Sequence, residues 1–298
     1  MKALVTGGAG FIGSHLVESL ARTHDVTVID KVAPTRPVEG VRYITSRVQH
    51  VADAPRADIV YHLAGPVGPV AVTHLTGRMT PDIIDMARWL WDYVRAGVRV
   101  VFVSTSEIYG EQAQPMDEQA PRIIAAGHSA RMEYATAKLA AETMLLNMGG
   151  DVRVIRPFNV AGPGQKPDGG FVLPRFLEQA RDGQALTVYT PGTQRRAFTH
   201  VLDIVDGIRR AGLYGHRNTA YNLGNPDNEC SIMELADEVI ALTNSRVGID
   251  IIDPMVLWGE KFREAPDKVP DIAKAKTDLL WTPTRSREQT ILDAWRQY

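Results

Sequence analysis

The chain has 298 residues, 44% hydrophobic and 23% charged, with 33 basic against 35 acidic side chains for a net charge of −2. This is the composition of an ordinary folded protein with area for a large core; the single cysteine, Cys230, excludes a disulfide scaffold, and no basic stripe offers itself to nucleic acid or an anionic membrane. No apolar run approaches the ~18 residues of a membrane span, and the histidines lack a helical ligand spacing, so no metal is expected.

The chain opens directly on a strand-like Lys2–Thr6 with no basic or hydrophobic leader, from which a cytoplasmic protein is expected. Phe11–Arg22 follows with Ile12, Leu16 and Leu20 on one helical stripe. Val26–Ile29, Asp58–Leu63, Val98–Val103 and Val152–Ile155 are further β-rich runs without polar alternation, as in strands covered on both faces. Between them, Asp82–Ala96 carries Ile83, Ala87, Leu90 and Val94 on one side, and Arg131–Met148 is rich in Ala, Leu and Met. Alternating strands and helices predict an α/β protein: a Rossmann-type doubly wound parallel sheet with a smaller C-terminal substrate domain. Gly162–Pro174 is too heavily punctuated by Pro163, Pro167, Pro174 and four glycines for a continuous element. Further on, Ser231-x-x-Glu234 is a capping box opening a helix. The expected division is residues 1–162 with 194–226 for the cofactor and 163–193 with 227–298 for the substrate.

The first strand runs into Gly7-Gly8-Ala9-Gly10-Phe11-Ile12-Gly13, a G-x-x-G-x-x-G loop opening the first helix. Gly7 permits the tight turn, Gly10 lets the backbone approach a pyrophosphate, and Gly13 lets helix and strand close together. The second strand ends in Asp30, about 20 residues beyond Gly10, where a carboxylate accepts hydrogen bonds from the adenosine ribose and repels a 2′-phosphate. NAD is therefore favoured over NADP, with Lys31 alongside leaving room for the second.

Tyr134 and Lys138, at i and i+4, project from one face of the Ala-rich helix. An ammonium beside a phenol lowers a pKa that starts at about 10, which would make Tyr134 a usable base; by spacing alone the two are more often an ordinary helical pair. Ser104-Thr105-Ser106-Glu107 leaves a buried strand at its C-terminal end, where open α/β sheets bind ligands. His62, on a buried strand, reads as a satisfied core histidine rather than a catalyst.

The glycine loop, Tyr61-His62-Leu63-Ala64, Ser104 to Gly110, Tyr134-x-x-x-Lys138 and Arg156-Pro157-Phe158-Asn159-x-x-Gly162-Pro163 resemble, in that order, the extended short-chain dehydrogenase/reductases that modify nucleotide sugars. Within that family Tyr61–Val70, Leu186–Phe198 and Pro270–Lys276 are most similar to UDP-glucuronate decarboxylases. The resemblance implies NAD as cofactor, held by Gly7, Gly10, Phe11, Ile12, Gly13, Asp30, Leu63, Ala64 and Gly65 together with Tyr134 and Lys138. It implies that Tyr134 takes the proton of the sugar C4 hydroxyl, that Thr105 shares a hydrogen bond to that oxygen, and that Ser106 and Glu107 act at C5 and C6. Pro66, Asn159, Tyr189, Arg196 and Lys268 would hold a UDP-sugar, with Tyr189 near the base and Arg196 on the diphosphate; the bland reading of Arg195 and Arg196 is a solvated pair. It also implies a homodimer pairing the helices near Asp82–Ala96 and Arg131–Met148, an interface that Trp89, Trp91 and Tyr93 would suit.

Departures bear on the reaction. Ser106 replaces the acid that dehydratases use on a departing 6-hydroxyl, which disfavours a 4,6-dehydratase. Lys268 replaces the arginine that decarboxylases turn toward the reacting carboxylate. The acid that commonly contacts adenine is absent from Ser46–Gln49, Asp82 stands where an asparagine is usual, and Met132-Glu133 is an uncommon approach to the tyrosine. Decarboxylation leads; 4-epimerisation of a UDP-hexuronate or other UDP-sugar is the alternative, and a non-catalytic NAD-binding sensor is the reading from outside catalysis.

Overall fold

The computed structural model describes residues 1–124, 129–259 and 267–298. Lys2–Thr6 (β1), Asp25–Asp30 (β2), Arg42–Thr45 (β3), Ile59–His62 (β4), Arg99–Val103 (β5), Val152–Pro157 (β6) and Thr219–Leu223 (β7) form one sheet in the order β7-β6-β5-β4-β1-β2-β3, with every pair parallel. Chain direction through the sheet reverses between β1 and β4, so the crevice beyond their C-terminal ends is where a ligand belongs.

The strands are apolar on both faces because both are covered. On one face Leu16, Val17 and Leu20 of Phe11–Ala21 (α1) pack with Val205 and Ile208 and with Trp281. On the other, Ile83, Met86 and Ala87 of Met79–Trp89 (α2) meet Ala137, Ala141 and Leu145 of Ala130–Asn147 (α3). A third core, with Phe176 and Leu177 of Val172–Arg181 (α4) and Leu235 and Val239 of Ile232–Thr243 (α5), fills a C-terminal lobe. The Ser231–Glu234 capping box forms as read from the sequence. Among the described residues no helix is long and apolar enough to cross a membrane.

Three expectations change. The helix expected at Asp82–Ala96 starts at Met79 and breaks at Leu90, since Pro81 falls in a first turn that needs no N–H from it. Pro174 likewise sits in the first turn of α4, so a helix emerges before the punctuated stretch ends. Trp89 and Tyr93 serve this chain's own core rather than a free face: the Trp89 indole donates to Val51 O at 3.3 Å, and the buried Tyr93 hydroxyl donates to Pro55 O at 2.6 Å. Trp91 keeps a partly exposed ring, with Arg95 5.4 Å above it.

The uncommon Glu133 has a structural use. Arg78, at the N-cap of α2, supplies no side-chain cap, and the Glu133 carboxylate reaches across from α3 to accept from Met79 N at 3.1 Å and Thr80 N at 3.2 Å. An anion is thereby placed at the positive end of α2, joining it to the helix that carries Tyr134.

Candidate active site

At the end of β1 the chain turns sharply at Gly7, whose φ is +75° and whose amide donates to Ile29 O at 2.9 Å. A Cβ there would lie 2.6 Å from Ala64 N, and one on Gly13 would lie 2.0 Å from Gly7 O, so both glycines are required for close approach. Gly10 is different: its Cβ would meet only Gly7 O, at 3.2 Å, and otherwise project into open space at the N-terminus of α1. That gap over unpaired helix N–H groups is a cradle for phosphate. Asp30 accepts from Ala9 N at 2.9 Å and Val32 N at 3.2 Å, which fixes its carboxylate at the rim. The residues present therefore fit a dinucleotide. At the outer rim Arg47 and Asp82 form a 3.7 Å ion pair, where the sequence had shown only unusual residues.

The cradle opens into one cavity of about 630 Å³, and every site residue expected from the sequence lines it, from Gly7 and Asp30 through Gly65 and Pro66 to Glu107, Tyr134, Asn159, Tyr189 and Lys268. β5 delivers Thr105, whose hydroxyl accepts from Glu107 N at 3.1 Å and shares a hydrogen bond with the Tyr134 phenol. Lys138, one turn along α3, donates to Val103 O at 2.9 Å and lies 4.9 Å above the Phe102 ring. Burial pulls its ammonium down to about 8. His62 is neutral in the core: it shares a 2.8 Å hydrogen bond with Thr6, and burial, then Lys138, lower it to about 3.

Lys138 does not lower the Tyr134 pKa in this structure, contrary to the expectation from spacing. Burial, then the negative charge of Glu107, raise the phenol above its ordinary range, and the Thr105 hydrogen bond offsets only part of this. The spacing brought the two residues to one face, but desolvation outweighs the attraction.

Glu107 is ringed by cations. Lys268 pairs directly with Oε1, Arg131 Nη1 lies 3.1 Å from Oε2 and 3.3 Å from Oε1, and Arg196 adds its charge nearby. Burial alone would raise the carboxyl; the Arg131 and Lys268 charges overcome it and hold Glu107 at about 2. Lys268 is drawn down to about 8 by burial, against the pull of Glu107. The elements explain the convergence: Glu107 follows β5 and Arg131 opens α3, while the Arg195–Ala197 strand, paired with Glu229–Ser231, also bridges Lys268 through its backbone.

Sequence reasoning missed Arg131, although its i, i+3 relation to Tyr134 was a usable signal. It missed Arg175 of α4, whose guanidinium stacks 4.3 Å from the Tyr189 ring centroid, since only tertiary folding joins them. Asn159 Nδ2, Gln165 Oε1 and Gln194 Oε1 are buried with no hydrogen-bond partner among the described residues, and all three side chains line the cavity. Such groups call for a polar ligand. Asn159 reaches its position through φ +38°, a conformation asparagine tolerates better than most.

Residues 3–224 match the NAD dependent epimerase/dehydratase family. The chain is 33% identical to a UDP-N-acetyl-α-D-glucosaminuronate decarboxylase of Bacillus cytotoxicus, over 97% of this chain and 95% of that one. It is 33% identical to UDP-glucuronic acid decarboxylase 3 of Arabidopsis thaliana, over 95% and 84%. Among solved structures it is similar to a UDP-glucose 4-epimerase of Thermotoga maritima with UDP-glucose, with TM-score 0.86 and 25% identity over 99% of this chain and 98% of that one.

Proposed function

The chain belongs to the NAD dependent epimerase/dehydratase family, and from that premise we propose that it is an NAD-dependent decarboxylase of a UDP-hexuronate, working through a 4-keto sugar. The observation that carries the choice of substrate is the pairing of both Lys268 and Arg131 with the carboxylate of Glu107. Two cations on one carboxylate, counted among the described residues, leave positive charge for a second anion, and a uronate supplies it where a neutral hexose does not. The relatives named as decarboxylases support the same reading.

NAD would be held by the glycine cradle and Asp30, and there it would supply the hydride chemistry at C4. Burial and Glu107 raise the Tyr134 phenol, and the positive charge that NAD⁺ would bring to the cavity favours the phenolate, as which Tyr134 receives the proton of the C4 hydroxyl with Thr105 orienting that oxygen. The resulting ketone lets the electrons of the C5–C6 bond move onto O4 as CO₂ leaves, and the Tyr134 hydroxyl stabilises the enolate until C5 takes a proton from water and O4 takes back the Tyr134 proton as the C4 ketone is reduced. A carboxyl held at about 2 is no proton donor at neutral pH, so Glu107 orients the reacting end and Ser106 assists at its side. Asn159 and Arg196 hold the diphosphate, and Tyr189 the base. Residues 1–162 with 194–226 serve the cofactor and the rest the substrate; the working form is a cytoplasmic homodimer joined through the outer faces of α2 and α3.

The deciding experiment incubates the protein with UDP-glucuronate, UDP-galacturonate, UDP-glucose and dTDP-glucose, and reads products by mass and NMR. Loss of CO₂ with formation of a UDP-pentose supports the proposal. Interconversion of the two uronates without mass loss assigns a 4-epimerase, and turnover of neutral hexoses alone removes the uronate reading.

A further inference from the structure

Lys268, the basic residue that replaces the decarboxylases' arginine, is fully committed to Glu107. It is 2% exposed, its ammonium contacts Glu107, and its backbone is pinned by Lys268 N to Arg195 O at 3.1 Å and Ala197 N to Lys268 O at 3.3 Å. Arg131 stands one turn before Tyr134 on the same face of α3, and its side chain is 26% exposed to the cavity. It reaches both oxygens of Glu107 through Nη1 alone. A guanidinium is a planar fork, so a contact made by one terminal nitrogen leaves a second edge able to meet another carboxylate side by side.

We propose that Arg131 grips the C6 carboxylate of the substrate, bridging it to Glu107, and that this residue sets the preference for hexuronates over neutral hexoses. The inference rests on the hexuronate reading above. Two carboxylates cannot adjoin in a half-buried site without a cation between them, and Arg131 occupies that position beside the reaction base, whose phenol feels the Glu107 charge. As the C5–C6 bond breaks, the carboxylate's negative charge moves to O4. A grip on the carboxylate is therefore stronger in the ground state than in the transition state, and its loss falls on KM more than on kcat.

The test uses the NAD-loaded protein with Arg131→Met and Arg131→Lys. For Arg131→Met, KM and Kd for UDP-glucuronate should rise about tenfold to a hundredfold, as expected for a charge-assisted pair. Kd for UDP-glucose should stay within about twofold of its starting value. Arg131→Lys, which keeps the charge and loses the fork, should fall between the two, and it decides the matter alone if the methionine variant does not fold. A variant that keeps the original ratio of uronate to hexose affinity, or weakens both sugars equally, overturns the role given to Arg131. If the unaltered protein itself binds UDP-glucuronate no better than UDP-glucose, the hexuronate reading fails first and takes this inference with it.

Discussion

Replacing Glu107 by glutamine keeps the shape of the side chain and removes the negative charge that Lys268 and Arg131 contact. In the native site this carboxyl sits at about 2 against an ordinary 4.5, a difference equivalent to about 3 kcal/mol of stability at neutral pH. The folded value lies below the unfolded one, so this contribution is full above about pH 4.5 and is lost as pH falls toward 2. Glutamine still accepts hydrogen bonds through its carbonyl, and Lys268, already at about 8, can shed its proton once its counterion is gone, which limits the damage. The expected cost is roughly 2–3 kcal/mol at pH 7, or a fall in Tm of roughly 4–8 °C. Urea unfolding of both proteins from pH 4 to 9 should show a gap that is widest near neutrality. It should narrow below about pH 4.5, where the Glu107 carboxyl of the unfolded chain takes up a proton that the folded one does not, and again above about pH 8 as Lys268 deprotonates. A gap under about 0.5 kcal/mol at pH 7, or one that is flat across this range, refutes the compensation argued here. CO₂ release should fall more than NADH formation, because the role proposed for Glu107 is at C5 and C6 and not at C4.

Tyr134→Phe keeps the ring that packs in the α3 core and removes the proton acceptor; turnover should fall by about a thousandfold or more with NAD binding and melting temperature little changed, and substantial residual activity would reject Tyr134 as the base. Gly13→Ala forces a methyl to 2.0 Å from Gly7 O and should cost several kcal/mol of stability by thermal melting, whereas Gly10→Ala should fold nearly normally and lose NAD affinity in a fluorescence titration. Asp30→Ala should weaken NAD by about tenfold or more and NADP by less; equal loss of both would remove the ribose contact from Asp30.

The parts of the molecule legible in the sequence are those where one local rule dominates. β1 and the glycine loop are set by an unbroken apolar run followed by residues that only a tight turn tolerates, and α3 by its composition. β3 was missed because it is four residues long and half exposed at the sheet edge. β7 was missed because Asn222 interrupts its apolar run, and only the fold shows that its side chain donates to Met116 O at 3.0 Å. At the site, residue types and spacing brought Thr105, Glu107, Tyr134 and Lys138 together, but the direction of the Tyr134 shift was out of reach. It depends on burial and on a charge delivered from another strand, and neither is written in a four-residue spacing.

The charge cluster is assembled from both sides of the molecule. Glu107 follows β5 and Arg131 opens α3, while Arg196 lies in a short strand and Lys268 bridges to it beside the C-terminal lobe. The groups that would choose the sugar are thus also a seam that sews the lobes together. Mutational drift toward an uncharged substrate, by shedding cations on the lobe side, would loosen the seam and leave Glu107 stranded at the wall. In this chain selectivity and cohesion are inherited together, so a successful redesign must replace both halves of the stitch at once.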